Sequence, residues 1–174
     1  MDANKTIPVV SIVGESDTGK TTLIEKIIPE LIRRGYLVAT IKHDVHGFEM
    51  DREGKDSWRH KQAGASTTVL SAPWRVAVVA DVGKDHDIAE LRDMYIRSVD
   101  IILTEGFKKN RHPKIEVFRS DLRDDIISRG DENLMGVVGD KPPDVNVPCF
   151  DRNDVRGIVD LIENSFLRRC EASG

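Results

Sequence analysis

Gly14-Glu15-Ser16-Asp17-Thr18-Gly19-Lys20-Thr21 fits the pattern G-x-x-x-x-G-K-[ST], which is typical of the loop that binds phosphate groups in nucleotide-binding proteins. The apolar, β-branched run Ile7–Val13 precedes this loop, and apolar residues at helical spacing follow it from Thr22 to Ile28. Glycines let the backbone curl so that successive N–H groups point at phosphate oxygens, and the positive end of the following helix favours the same anion. The pattern alone would also fit an ordinary glycine turn before a helix. Strand, turn and helix in this order predict a nucleoside triphosphate site.

Each residue of this phosphate loop is a candidate contact for the nucleotide. We expect the Lys20 ammonium to reach the β- and γ-phosphates and the Thr21 hydroxyl to hold Mg²⁺. The predicted nucleotide-binding residues of the loop are Gly14, Glu15, Ser16, Asp17, Thr18, Gly19, Lys20, Thr21 and Thr22.

Length and composition favour one soluble globular domain. A chain of 174 residues can bury a substantial core, so we expect a single nucleotide-binding domain over residues 1–174. The formal net charge of −4 argues against a nucleic-acid partner, which favours a basic surface. Cys149 and Cys170 are too few for a disulfide framework or a structural zinc site. With no signal peptide and no apolar run of membrane-spanning length, we expect a cytoplasmic protein without a membrane partner.

The segments after the loop predict an α/β architecture. A helix should run over residues 20–34, continue with a bend through Pro29 and end at Gly35. A strand over Tyr36–Lys42 then completes a β-α-β unit with parallel strands. The helix residues expected to face the core are Leu23, Ile27, Ile28, Leu31 and Ile32.

Later segments complete the predicted sheet. Thr67–Ser71 and Arg75–Ala80 are separated by a short turn, which predicts an antiparallel pair and hence a mixed sheet. The alternating segment Lys114–Arg119 predicts an edge strand, and Leu134–Val138 predicts a buried strand. An amphipathic helix should close the chain over residues 153–169. We therefore predict a P-loop NTPase fold with a mostly parallel, mixed, twisted sheet flanked by helices.

The stretch Lys42–Lys61 is charged and poor in apolar residues, which predicts an extended loop followed by a short helix from Asp56 to Ala63. Because it follows the second strand, Asp44 is a candidate to contact Mg²⁺ or to act in catalysis. Gln62 is a candidate to orient a hydrolytic water, as glutamine does in other GTPases. Two alternatives remain for this stretch. It could be a solvated loop without a functional role, or it could form a zinc site from His43, His46 and His60.

Two carboxylates at predicted strand ends are candidates for metal binding. Glu105 follows the apolar strand Asp100–Thr104 and precedes a glycine, so we predict that it binds Mg²⁺ or its waters beside the phosphate loop. Asp81 is the second candidate for this role. A basic cluster follows Glu105 and would suit an anionic ligand or a solvated turn; it comprises Lys108, Lys109, Arg111 and His112.

Asp140 is the candidate for recognising the base. Guanine offers the N1–H and N2–H₂ donors to a single carboxylate, whereas adenine does not offer this pair. Asp140 lies at the end of a late predicted strand, where such a contact would be made. The N-K-x-D specificity motif is absent, so no motif establishes guanine preference.

With these residues in place, the chain resembles the molybdopterin-guanine dinucleotide biosynthesis protein B (MobB) family. The resemblance covers nearly the whole chain. Its most specific motifs are Ile41-Lys42-His43-Asp44 with His46-Gly47-Phe48, and Gly54-Lys55-Asp56-Ser57-Trp58-Arg59-His60 with Ala63-Gly64-Ala65. The phosphate loop, the strand end Thr104–Lys108 and the late Phe150-Asp151 agree in order.

The resemblance implies a homodimeric GTP-binding protein with weak, Mg²⁺-dependent GTPase activity. Such a protein would act beside the nucleotidyltransferase that joins GMP to molybdopterin, and it would bind molybdopterin or its guanine dinucleotide product. The stretch Lys42–Lys61 would meet the pterin phosphate or the partner enzyme. Related dimeric P-loop GTPases often carry a second lysine early in the loop, whereas here Glu15 follows Gly14. Activation by a lysine from a second subunit therefore has no obvious residue.

Two other classes share the loop. A small-molecule kinase would use Asp44 or Glu105 as a base, with Arg52 and Arg59 on a mobile lid. A nucleotide-sensing adaptor would turn its nucleotide over only incidentally. Transfer of phosphate to an acceptor distinguishes the kinase, whereas the sequence does not separate the adaptor from the GTPase.

Overall fold

The protein is described by a computed structural model over residues 6–49, 51–108 and 110–168. Two compact units are distinguished, the first comprising Met1–His43 with Arg92–Gly174 and the second comprising Asp44–Leu91. The single nucleotide-binding domain over residues 1–174 stays a prediction. No helix in the described part of the chain combines the length and the apolar character needed to cross a membrane.

The first unit is built on a six-stranded sheet in which every neighbouring pair is parallel. Its strand order is β2-β5-β1-β6-β7-β8. The central strands are apolar and buried on both faces, as parallel sheets covered by helices require. The strands are β1 (Val9–Val13), β2 (Val38–Lys42), β5 (Ile101–Glu105), β6 (Lys114–Phe118), β7 (Leu134–Gly139) and β8 (Cys149–Phe150).

Two helices of this unit share one apolar core with the sheet. Helix α1 spans Lys20–Arg33 and continues through Pro29, so the prediction that it persists there is confirmed. Its side chains Leu23, Ile27 and Leu31 are buried, but Ile32 is 58% exposed, and its predicted core position is wrong. The reason is geometric, because Ile32 lies about 100° further round the helix than Leu31.

The last helix is shorter than predicted. Helix α4 spans Val155–Ile162 and is followed by a π-helical turn over Glu163–Leu167, while the predicted end at Arg169 lies outside the described residues. It begins where it does because Asp154 caps it, its Oδ1 accepting a hydrogen bond from the backbone N–H of Gly157 at 3.0 Å.

The prediction that β6 is an edge strand is wrong, because β6 lies between β1 and β7. Its two polar side chains, Lys114 and Glu116, are 1% and 2% exposed and point at partners rather than at solvent. The Lys114 ammonium contacts the Asp131 carboxylate, and Glu116 accepts backbone hydrogen bonds from Ile127 and Ser128 at 2.7 and 2.8 Å. Both side chains therefore have partners within the fold instead of solvent.

The second unit contains helix α2 (Asp56–Gln62) and the strands β3 (Thr67–Ala72) and β4 (Arg75–Ala80), and helix α3 (Ile88–Tyr95) begins in it. β3 and β4 pair in antiparallel fashion as predicted. They form a two-stranded sheet of their own, so the prediction of a mixed sheet is wrong. The turn fixes the direction of such a pair but does not determine which sheet it joins.

Candidate nucleotide-binding site

The phosphate loop Gly14–Thr21 connects β1 to α1 at the carboxyl edge of the parallel sheet, where ligands bind in open α/β folds. Gly14 has a φ of 143°, and a Cβ added to it would lie 2.4 Å from the backbone oxygen of Val117. Only glycine fits this approach of the loop to β6. The loop is closed by Thr18, whose buried hydroxyl donates to the backbone oxygen of Glu15 at 3.0 Å.

Lys20 is the first residue of α1, and its side chain turns back across the loop. Its Nζ donates a hydrogen bond to the backbone oxygen of Glu15 at 2.6 Å. Burial lowers the pKa of the Lys20 ammonium, and the neighbouring Glu105, Asp17 and Glu15 carboxylates counteract this effect. The result is a partly desolvated cation beside the backbone of the loop.

The Thr21 hydroxyl and the Glu105 carboxylate meet at the start of α1. Thr21 Oγ1 donates to Glu105 Oε1 and Oε2 at 2.9 and 3.1 Å, and Lys42 Nζ lies 3.5 Å from Glu105 Oε1. Hydroxyl and carboxylate oxygens are the ligands that Mg²⁺ prefers. The described residues hold no group of three or more His, Cys, Asp or Glu side chains that could bind a metal. A magnesium ion here would therefore take its other ligands from phosphate and water.

The position of Glu105 is fixed by the end of β2. Gly106 has a φ of 100°, and a Cβ on it would lie 2.9 Å from the backbone oxygen of His43. The His43 N–H donates to the backbone oxygen of Glu105 at 2.9 Å, and the His43 ring stacks on Phe107 with centroids 4.5 Å apart. The backbone that carries the Glu105 carboxylate is thus in contact with the residue that follows β2.

Asp140 lies directly after β7 and faces the end of β6. It accepts hydrogen bonds from Ser120, at 2.7 Å from the hydroxyl and 3.2 Å from the backbone N–H, and Arg152 Nη2 lies 3.7 Å away. The Ser120 side chain and backbone N–H lower the pKa of Asp140 to about 2. Asp140 is therefore an ionised hydrogen-bond acceptor, but its role toward a base stays a prediction.

Four basic and acidic side chains beside the loop form what we call the Glu15 cluster, comprising Glu15, Lys108, Arg119 and Arg123. Glu15 Oε1 accepts from Arg123 Nη1 at 2.8 Å, and Glu15 Oε2 lies 3.3 Å from Lys108 Nζ. Arg119 Nη1 donates to the backbone oxygen of Asp17 at 3.3 Å. Three cations therefore contact the Glu15 and Asp17 part of the loop.

The other candidates lie in the second unit and are described within it. Asp44 Oδ1 accepts from the backbone N–H of His46 at 3.0 Å, and Gln62 is the last residue of α2. Asp81, the second metal candidate, pairs with Lys61. Their predicted roles stay predictions. Lys109 of the basic cluster lies outside the described residues.

Comparison with known proteins identifies the family. The chain matches the family described as molybdopterin guanine dinucleotide synthesis protein B over residues 9–140, which is most of its length. The chain belongs to this family. Membership assigns it to molybdopterin-guanine dinucleotide biosynthesis and confirms the resemblance seen in its sequence.

Two relatives named molybdopterin-guanine dinucleotide biosynthesis adapter protein align with almost the whole chain. The protein of Haemophilus influenzae is 39% identical over 162 residues, covering 92% of this chain and 90% of that one. The protein of Escherichia coli is 34% identical over 168 residues, covering 92% and 94%.

Solved structures of this family share the fold. The crystal structure of Bacillus subtilis MobB matches with a TM-score of 0.73 at 28% identity, covering 94% of this chain and 100% of that one. A crystal structure of molybdopterin-guanine biosynthesis protein B matches with a TM-score of 0.72 at 30% identity, covering 90% and 97%. The predicted α/β, P-loop NTPase-like fold is therefore confirmed.

In this MobB-family chain, the sequence pattern did not indicate two cations beside the loop, Arg119 and Arg123. Arg119 and Arg123 follow β6, and no motif distinguishes them from other surface arginines. Lys108 was predicted only as part of a basic turn. The ion pairs of Glu15 join residues 93 and 108 positions apart, which local sequence patterns do not encode.

Proposed function

We propose that this chain is a GTP-binding adapter of molybdopterin-guanine dinucleotide synthesis, which binds GTP with Mg²⁺ and hydrolyses it slowly. The observation that carries the proposal is the juxtaposition, at one end of α1, of the curled loop, the Lys20 ammonium and the Thr21–Glu105 pair. Backbone N–H groups, one ammonium and two hard oxygen ligands are what a magnesium-bound triphosphate requires.

The adapter role rests on the family and on the names of the relatives. In this role the protein acts as a homodimer in the cytoplasm, beside the nucleotidyltransferase that attaches GMP to molybdopterin. The charged stretch Lys42–Lys61 is the proposed contact for that enzyme, for molybdopterin or for its guanine dinucleotide product. Slow hydrolysis is expected because no sequence motif identifies an arginine finger, and such a finger accelerates these reactions by about 10³–10⁵-fold.

Calorimetric titration with GTP, ATP, GDP and ADP, with and without Mg²⁺, tests the site. We expect Mg²⁺-dependent binding of GTP that Lys20→Ala abolishes without unfolding the protein. Lys26→Ala is the matched control, since Lys26 belongs to the same helix but contacts Asn153. Unchanged GTP affinity in Lys20→Ala would remove Lys20 from its proposed role.

The same titration tests base recognition, and measurement of phosphate release and transfer tests the reaction class. Asp140→Ala should lose the preference for GTP over ATP, and retained discrimination would move guanine recognition elsewhere. Phosphate release should be slow and independent of added sugar, nucleoside or carboxylic acid acceptors. Rapid phosphate transfer to any of these acceptors would instead identify a kinase.

A further inference from the structure

The Glu15 side chain and the Glu15 backbone face different partners. Its backbone oxygen accepts hydrogen bonds from the Lys20 ammonium and the Thr18 hydroxyl. This oxygen therefore lies beside Lys20, the residue proposed to bind the phosphates. The Glu15 carboxylate is 36% exposed and binds Arg123 and Lys108. One carboxylate therefore neutralises two cations directly beside the proposed phosphate site.

Lys108 and Arg123 both lie on segments whose backbones are fixed by hydrogen bonds to strands of the sheet or to residues beside them. Lys108 follows Phe107, whose backbone oxygen accepts a hydrogen bond from Asn110, and the same Asn110 amide donates to the Ser11 hydroxyl at 2.9 Å. Arg123 belongs to the segment after β6, whose backbone is bound by Glu116 only a few residues later. The two cations are therefore positioned at the loop by the fold.

The charges around the loop act on one another. Lys108 and Arg123 lower the pKa of Glu15 through hydrogen bonds and charge. The Lys108 charge also lowers the pKa of Lys20, whereas the Glu15 charge raises it. Lys20, Lys108 and Glu15 are thus close enough to interact, and an anion that binds Lys20 lies within the field of the other two.

We propose that Lys108 and Arg123 are two cations, additional to Lys20, that bind the terminal phosphate of the nucleotide, and that Glu15 keeps them paired until a triphosphate binds. This inference rests on the proposed function, because it needs a phosphate chain at Lys20. A terminal phosphate carries more negative charge than one carboxylate and attracts both cations more strongly. The Glu15 carboxylate repels the same phosphate, so it limits triphosphate affinity.

The mechanism discriminates between tri- and diphosphate. Lys20 reaches the β- and γ-phosphates in P-loop proteins, and its Nζ lies against the backbone of Glu15. A nucleotide that ends at the β-phosphate leaves Lys108 and Arg123 paired with Glu15. Only the γ-phosphate competes for the two cations, so removal of the Glu15 charge should affect triphosphate binding selectively.

The test is calorimetric binding of the β,γ-imido analogue of GTP and of GDP, both with Mg²⁺, to the full chain. Glu15→Gln should tighten binding of the analogue about tenfold and change GDP binding less than about twofold. Arg123→Gln in the Glu15→Gln protein should remove this gain. Arg123→Gln alone should weaken binding of the analogue, and circular dichroism melting checks that each variant is folded.

The matched controls change the same residue types at distant positions. Glu132→Gln alters an exposed glutamate just before the amino end of β7, whereas the phosphate loop lies at the carboxyl ends of the strands. Arg33→Gln alters an arginine about 20 Å from Lys20 along α1. Both should bind like the wild type.

Each outcome decides the proposal. A selective gain in Glu15→Gln that Arg123→Gln removes supports it. Equal effects on both ligands, no effect, or a gain that persists when Arg123→Gln is added to Glu15→Gln would overturn it while the proposed function stands. Absence of any nucleotide binding by the wild type would refute the proposed function and this inference with it.

Discussion

Glu116→Gln tests how the segment after β6 is held, because Glu116 is a buried carboxylate whose two oxygens accept separate backbone hydrogen bonds. Oε1 accepts from Ile127 at 2.7 Å and Oε2 accepts from Ser128 at 2.8 Å. Glutamine keeps one acceptor oxygen and places an NH₂ group against the other N–H. One charge-assisted hydrogen bond is lost, and one buried donor is left facing another donor.

The magnitude follows from these two contacts. A hydrogen bond to a charged group contributes about 1.5–3 kcal/mol, and an unsatisfied buried donor costs about 1–3 kcal/mol. Glutamine is easier to bury than a carboxylate, which offsets part of this loss. We therefore expect the free energy of unfolding to fall by about 2–4 kcal/mol. For a protein of this size, the melting temperature should fall by about 6–12 °C.

The assay is urea unfolding followed by far-ultraviolet circular dichroism, with hydrogen exchange of the peptide that contains Ile127 and Ser128. Exchange of these two amides should accelerate in Glu116→Gln under native conditions. Glu132→Gln, an exposed glutamate, is the control and should stay within about 0.5 kcal/mol of the wild type. A Glu116→Gln protein equally close to the wild type would refute the assignment of Glu116 as an anchor of this segment.

Two further predictions concern the loop and the end of β7. Gly14→Ala should displace the phosphate loop and weaken nucleotide binding at least about tenfold in calorimetry, because its methyl group would meet the Val117 oxygen at 2.4 Å. Gly83→Ala is the control, since a methyl group there meets nothing within 4 Å. Normal binding by Gly14→Ala would contradict the prediction. Asp140 has its pKa lowered to about 2 by Ser120, so its stabilising contribution is present above its ordinary pKa near 4 and is lost as pH falls from about 4 to 2. The melting temperature of Asp140→Asn should therefore lie below that of the wild type at pH 6 and converge with it near pH 2, and a pH-independent difference would contradict the assignment.

The central features of the first unit were predictable because their signals are local. The phosphate loop is a contiguous pattern between a strand and a helix, and the continuous apolar runs of β1 and β5 predict parallel strands buried on both faces. Glu105 was singled out because carboxyl ends of parallel strands share one edge, and the structure places its carboxylate against Thr21.

The errors arose where distant residues determine the environment. Lys114 and Glu116 alternate with apolar residues, a pattern typical of an edge strand, but both side chains are paired with groups outside the strand. Likewise, nothing around Glu15 indicates that its carboxylate meets Lys108 and Arg123. Local periodicity reports which residues are polar, whereas the tertiary fold decides whether a polar residue is solvated or paired.

The division into two units has a spectroscopic consequence. Both tryptophans of the chain, Trp58 and Trp74, lie within Asp44–Leu91. Intrinsic tryptophan emission therefore originates entirely from the second unit, while the phosphate loop belongs to a unit that contributes none. A single thermal scan that records emission together with ellipticity can thus show whether the β3–β4 hairpin loses its structure before, with or after the parallel sheet.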